Sequence, residues 1–334
     1  MRLPISFTNI MLIIGVVIFV IYLQSIGVEN IVNEILVVDK TILFLLIIID
    51  VVCIGLFTLS WYVFLRNPSL KFRDCFEIVL MSIFCDLMIP TASISGEIVR
   101  INLTAKKANL QISKAATSVI LHRIMLTLTF GFIIILCGLQ IINYNMVLAF
   151  FLVTISIIIV ITLILLLYAV KRYKKLIGKM VNIFEKFVKK VKPNFDIKIK
   201  EESLNKLENI LTDKKAFISS FILLIIRWFL LALIPYIIFI SMGYYVSYWI
   251  ILTVSSLMSM IQIIPIGIPG MIGIMEVSIT VLFVEFSIPL GIASSVAILM
   301  RIITFWFELI LGLITTSIYG INRVINKTRS NNSM

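Results

Sequence analysis

Glu97 precedes Arg123 by 26 residues, and Glu276 precedes Arg301 by 25. Each glutamate closes a helix-breaking stretch, "IPTASISGE" from Ile89 and "PIGIPGMIGIME" from Pro265, and each arginine lies well inside an apolar run. A guanidinium grips a phosphate through parallel N–H bonds and stays charged when partly desolvated. Proline and glycine interrupt a helix and leave N–H donors at the start of the next one, where the helix dipole also favours an anion. Arg123, Arg301, Arg100, Glu97, Glu276, Gly96, Gly270 and Gly273 are therefore the expected binding residues for an anionic group. In that reading the arginines bind and the glutamates hold or release them. The structural alternative uses the same residues as ion pairs, Arg123 with Glu97 and Arg301 with Glu276, which staple each break to the following helix.

A charge at mid-helix in a bilayer costs about 2.5–3.5 kcal/mol on insertion scales, so every other charge in an apolar run also needs a partner or a task. Arg100 follows Glu97 by three residues, within reach on one helical turn. Asp50 and Arg227 lie at mid-span depth, where an ion pair between them, or with the breaks, is the simplest account. Glu308 and Asp86 are structural partners or proton-coupling carboxylates. His122 is the only histidine, and a lone histidine supports neither a metal site nor a catalytic triad. The four cysteines (Cys53, Cys75, Cys85, Cys137) have no C-x-x-C spacing and read as packing residues. No cofactor, metal or nucleotide motif of the G-x-x-x-x-G-K-[ST] type is present. Transport by this chain would be passive or ion-coupled.

The elements that position these residues follow from composition. Of 334 residues, 61% are hydrophobic and 14% charged, with a mean hydropathy of +1.14, which excludes a soluble domain. A bilayer core of roughly 30 Å takes about 20 apolar residues per helix. Spans are expected at 5–26, 42–65, 115–138, 146–170, 217–240 and 291–319. The net charge of +12 gathers at Lys171–Lys215, Arg66–Arg73 and the C-terminal end, which the positive-inside rule puts in the cytoplasm. Both termini are then cytoplasmic, in a multi-pass protein of the cell membrane. Two interrupted apolar stretches, 75–107 and 248–287, must each start and end on one side, as a re-entrant hairpin or as a pair of short spans.

The expected fold is an all-α integral membrane protein of about six transmembrane helices plus two Pro/Gly-broken re-entrant hairpins. "AATSVILHR" from Ala115 and "ASSVAILMR" from Ala293 are alike, and with the Glu-to-Arg spacing they make the same unit appear twice with opposite orientation. That is an inverted-topology repeat, in which broken helices meet at mid-membrane around a substrate. The domains are residues 1–170, a cytoplasmic basic amphipathic linker at 171–216, a second membrane half at 217–322 and a tail at 323–334. The linker anchors topology on anionic lipid, or docks an enzyme that makes the lipid. Nucleic acid is not an expected partner.

At "SGEIVR" with Arg123, and at Pro269, Gly270, Gly273 and Glu276 with Arg301, the chain resembles the flippase-like transmembrane family that includes the membrane half of the lysylphosphatidylglycerol synthases. Two positions depart from that family's pattern: His122 stands where a glutamate is usual, and Met271 where a glycine is. The resemblance implies movement of a lipid headgroup between leaflets, from a phospholipid or a polyprenyl-phosphate sugar, without synthase activity. Two competing readings remain. One is a non-transporting scaffold for a lipid-modifying enzyme or glycosyltransferase; the other is a lipid-modifying enzyme with Glu97 or Glu276 as general base.

Overall fold

A computed structural model describes residues 7–36, 38–65, 70–91, 93–172, 213–264 and 266–332. The basic linker expected over 171–216 lies outside the described residues except at its ends. Regular structure in the described residues is helical: α1 (Phe7–Ile26), α2 (Val28–Leu36), α3 (Lys40–Leu65), α4 (Phe72–Met88), α5 (Ile94–Lys107), α6 (Ile112–Gln140), α7 (Met146–Arg172), α8 (Lys214–Ser241), α9 (Tyr248–Gln262), α10 (Ile274–Glu285), α11 (Leu290–Arg301) and α12 (Glu308–Asn332). A 3₁₀ turn spans Pro269–Met271, and a π-helical segment, Ile302–Phe307, joins α11 to α12. Hydrocarbon offers no partner for backbone N–H and C=O groups, so segments this apolar form helices, which satisfy those groups internally. Five helical runs among the described residues are long and apolar enough to cross a membrane: α3, α6, α7, α8 and the run from Leu290 to Ile321. The apolar part of α1, Ile10–Ile26, is shorter. The protein is an all-α, multi-pass membrane protein.

The two interrupted stretches are interrupted where proline and glycine require it. Proline lacks an N–H and biases the preceding residue away from helix, and α4 ends just before Pro90. Between α4 and α5, Ser93 is held at φ +68°. Between α9 and α10, Gly267, Gly270, Met271 and Gly273 all take positive φ.

The chain forms two compact units. The first gathers residues 1–55, 76–99 and 228–334. In it α1 packs on the 3₁₀ turn and on α10, and the closest approach needs glycine: a Cβ on Gly273, already at φ +83°, would stand 2.6 Å from the Gly15 carbonyl oxygen. Further along, the Tyr22 hydroxyl and Thr280 Oγ1 are hydrogen-bonded at 2.7 Å. Gly312 lets α12 lie against Phe84 and the Leu80 carbonyl of α4.

The second unit gathers the described residues within 56–75 and 100–227. Helices α6 and α7 form its hairpin. Gly131 and Gly138, one heptad apart, admit Val160 and Val153, and Ser156 Oγ donates to the Gly131 carbonyl, the small-residue packing that membrane helices use in place of hydrophobic contrast. A cluster of Phe64, Leu121, Ile124, Met125, Ala216 and Leu224 joins α3, α6 and α8. At the start of α4, Asp74 forms a 2.8 Å ion pair with Lys107 at the end of α5. The hydrogen bond from Lys107 holds the Asp74 carboxyl below the usual aspartate range.

Candidate functional site

In the first unit both breaks line one cavity. It measures about 120 Å³ and is walled by Asp86, Pro90 and Ser93 from the first break, and by Gln262, Gly270 and Met271 from the second, with Arg301 reaching it from α11. A volume of that order admits water.

Arg301 is only 6% exposed, so its charge needs compensation on the spot. Its Nε donates to Glu276 Oε1 at 2.9 Å, and its Nη2 donates to the Gly270 carbonyl at 2.6 Å. The guanidinium lies 4.0 Å from the centroid of the Phe305 ring, a residue of the π-helical segment. Glu276 in turn accepts at Oε2 from the Gly273 N–H, 2.7 Å away, and so caps α10 from its own first turn. One arginine thereby ties the 3₁₀ turn to α10, and one carboxylate closes the helix N-terminus. The expected pairing of Glu276 with Arg301 is present in this geometry.

The first break is closed by a different acid. Asp86 Oδ1, on α4, accepts from the Gly96 N–H at 2.6 Å and from Ser95 Oγ at 2.8 Å, and Thr91 Oγ1 accepts from the Ser95 N–H. The approach is so close that a Cβ on Gly96 would overlap the Asp86 carboxylate, which accounts for glycine there. Each break therefore presents a helix N-terminus already occupied by a carboxylate of the chain.

The other expected residues distribute as follows. Glu97 lies one residue after Gly96 on α5, and Asp50 on α3 is fully buried. Glu308 opens α12, directly after the π-helical segment that follows Arg301. Arg123, on α6, is exposed, whereas Arg100, on α5, is 4% exposed. Arg227 sits over the Phe57 ring at 5.2 Å in the second unit.

Sequence reasoning sets His122 aside. In the structure it is completely buried, bonded through Nδ1 to Arg100 Nη1 at 3.1 Å and through Nε2 to Ser60 Oγ at 2.8 Å, with the Phe57 ring edge-on at 4.7 Å. The one signal in the sequence is its burial-prone place in an apolar helix beside a cation, which reads equally as accident. Among the described residues no group of His, Cys, Asp and Glu gathers as a metal site would require.

Residues 8–312 match the family described as the lysylphosphatidylglycerol synthase TM region. The chain belongs to that family. It is also similar to UPF0104 membrane proteins of three archaea. It is 27% identical to one of Pyrococcus horikoshii, over 91% of this chain and 94% of the relative. It is 23% identical to one of Methanothermobacter thermautotrophicus, over 93% and 95%, and 23% identical to one of Methanocaldococcus jannaschii, over 98% and 99%. As a member of the lysylphosphatidylglycerol synthase transmembrane family, the chain is flippase-like. Met271 holds φ +50° in the turn that Arg301 clamps, and His122 receives a hydrogen bond from Arg100.

Proposed function

We propose that this protein is a lipid translocase that carries a phosphate-bearing headgroup, from a phospholipid or a polyprenyl-phosphate-linked lipid, between the leaflets of the cell membrane. The observation that carries the reading is the cavity lined by both breaks with a buried arginine on its wall. Non-helical backbone at membrane depth is tolerated only where protein buries it or water reaches it, and a polar-lined cavity beside both breaks supports that reading. In this mechanism an incoming phosphate takes over the donors that Glu276 and Asp86 hold in the resting state: Arg301 Nε, the Gly273 N–H and the Gly96 N–H. Arg100 or Arg123 serves in the first repeat as Arg301 does in the second, while Asp50, Arg227 and Glu308 balance charge around them. The two interrupted stretches act as re-entrant hairpins of an inverted repeat, flanked by cytoplasmic termini, and the cavity opens to each leaflet in turn.

The test is headgroup accessibility in proteoliposomes. A fluorescent phospholipid and a polyprenyl-phosphate sugar are each challenged with a membrane-impermeant quencher or modifier. Wild type exposes the inner pool of at least one lipid, and Arg301→Ala does not. A folded wild-type protein that moves neither lipid overturns the reading.

A further inference from the structure

Among the described residues, the buried arginines Arg301 and Arg100 are contacted by different groups. Arg301 is held by a carboxylate, Glu276, and by Phe305. Arg100 is held by an imidazole, with its guanidinium 5.3 Å from the centroids of both Phe57 and Trp61. Arginine only donates, so His122 Nδ1 accepts from it and carries no proton. The neutral ring then bears its hydrogen on Nε2 and donates to Ser60 Oγ, and the Ser60 hydroxyl proton goes on to the Phe57 carbonyl at 2.8 Å. Every bond in this chain has one direction, and only one tautomer of His122 fits it. Among the described residues, Arg100 from α5, Arg227 from α8 and Arg123 from its own helix are cations close enough to act on the ring. The imidazole orients Arg100 through one nitrogen and is itself oriented by Ser60 through the other.

We propose that His122 is a positioning residue whose Nε2–H tautomer fixes Arg100 against Phe57 and Trp61, and that Arg100, rather than the exposed Arg123, is the arginine of the first repeat that meets the lipid phosphate. The second clause rests on the translocase reading; the first does not. His122→Gln preserves both bonds, since its amide oxygen accepts from Arg100 and its NH₂ donates to Ser60. His122→Leu removes both at similar size.

Because this is the only histidine in the chain, nitrogen-15 imidazole labelling gives one ring to observe by NMR in nanodiscs at pH 7. The expected spectrum has a protonated Nε2 and a bare Nδ1 whose signal moves in Arg100→Ala. An Nδ1–H or doubly protonated ring, or no response to Arg100→Ala, overturns the positioning role. In the headgroup-accessibility measurement, His122→Leu and Arg100→Ala are each expected to slow translocation about tenfold, and the double variant no further than Arg100→Ala alone. His122→Gln is expected to remain near wild type. A loss in Arg123→Ala with none in Arg100→Ala overturns the assignment of the arginine, and a His122→Gln as slow as His122→Leu overturns the hydrogen-bond account. If wild type moves no lipid, the translocase reading fails and the NMR result still decides the tautomer and its dependence on Arg100.

Discussion

Glu276 serves two donors at once, the Arg301 guanidinium and the Gly273 N–H, and its removal exposes both. Breaking a buried charge pair from one side costs about 3–5 kcal/mol, because the remaining charge is left desolvated. Glu276→Ala is expected to lower unfolding stability in detergent by about that amount, read by thermal or denaturant unfolding, and Glu276→Ala/Arg301→Met by clearly less. A double variant as unstable as the sum of the singles contradicts the pairing. This pair is legible in the sequence as a glutamate after the second break and an arginine 25 residues later in an apolar run, where each charge needs a partner. The His122 network is not. Adjacent residues on a helix point about 100° apart, so His122 and Arg123 face different neighbours, and only the position of α5 shows that a hydrogen-bonding partner waits on the His122 side.

At the scale of elements, the breaks hold backbone conformations that non-glycine residues resist. Met271 at φ +50° is strained by roughly 1–2 kcal/mol relative to glycine. Met271→Gly relieves that strain while losing one side chain and adding unfolded-state entropy, so a net gain of up to about 1 kcal/mol in unfolding stability is expected. A loss greater than about 1 kcal/mol would show that Met271 packing outweighs its backbone. Gly96→Ala drives a methyl group into Asp86 and to 2.7 Å from the Ser82 carbonyl oxygen, and is expected to destabilise the α4–α5 connection by about 1–3 kcal/mol, with only part of the loss recovered in Gly96→Ala/Asp86→Ala because the Ser82 backbone stays in place. Recovery in the double variant distinguishes a clash from a helix-start defect. The positions of both breaks are readable from proline and glycine. That Asp86 closes the first one is not, because it acts across ten residues and a change of chain direction.

At the scale of the whole molecule, the helices follow from apolar runs long enough for a bilayer, and their existence is legible from hydropathy alone. Which faces pack is not, since these helices are apolar on all sides and their contacts are selected by small residues such as Gly131, Gly138 and Gly312. Charges outside the apolar spans tie the ends of helices. The Asp74–Lys107 pair is partly exposed and contributes about 0.2–1 kcal/mol. The folded protein lowers the Asp74 pKa below 3.8, so this stabilisation is present above the unfolded value and is lost as pH falls through the folded one. Wild type and Lys107→Ala should therefore differ by a constant amount near neutral pH and converge only in acid, as followed by unfolding at a series of pH values. Convergence near neutral pH would contradict the assignment.

The acids that close the two helix N-termini also bear on thermodynamic driving force. An anion that reaches the Gly273 or Gly96 N–H finds a donor already engaged by Glu276 or Asp86, so its arrival is a ligand exchange and not the filling of an unsolvated hole. The free energy of exchange is the difference between two similar interactions, which keeps net affinity shallow and the residence time short. Shallow wells suit a carrier: a headgroup held too tightly would be a stoichiometric inhibitor of its own passage, and turnover would be limited by departure. For the translocase proposed above, weak, saturable, readily reversed headgroup binding is the expected kinetic signature.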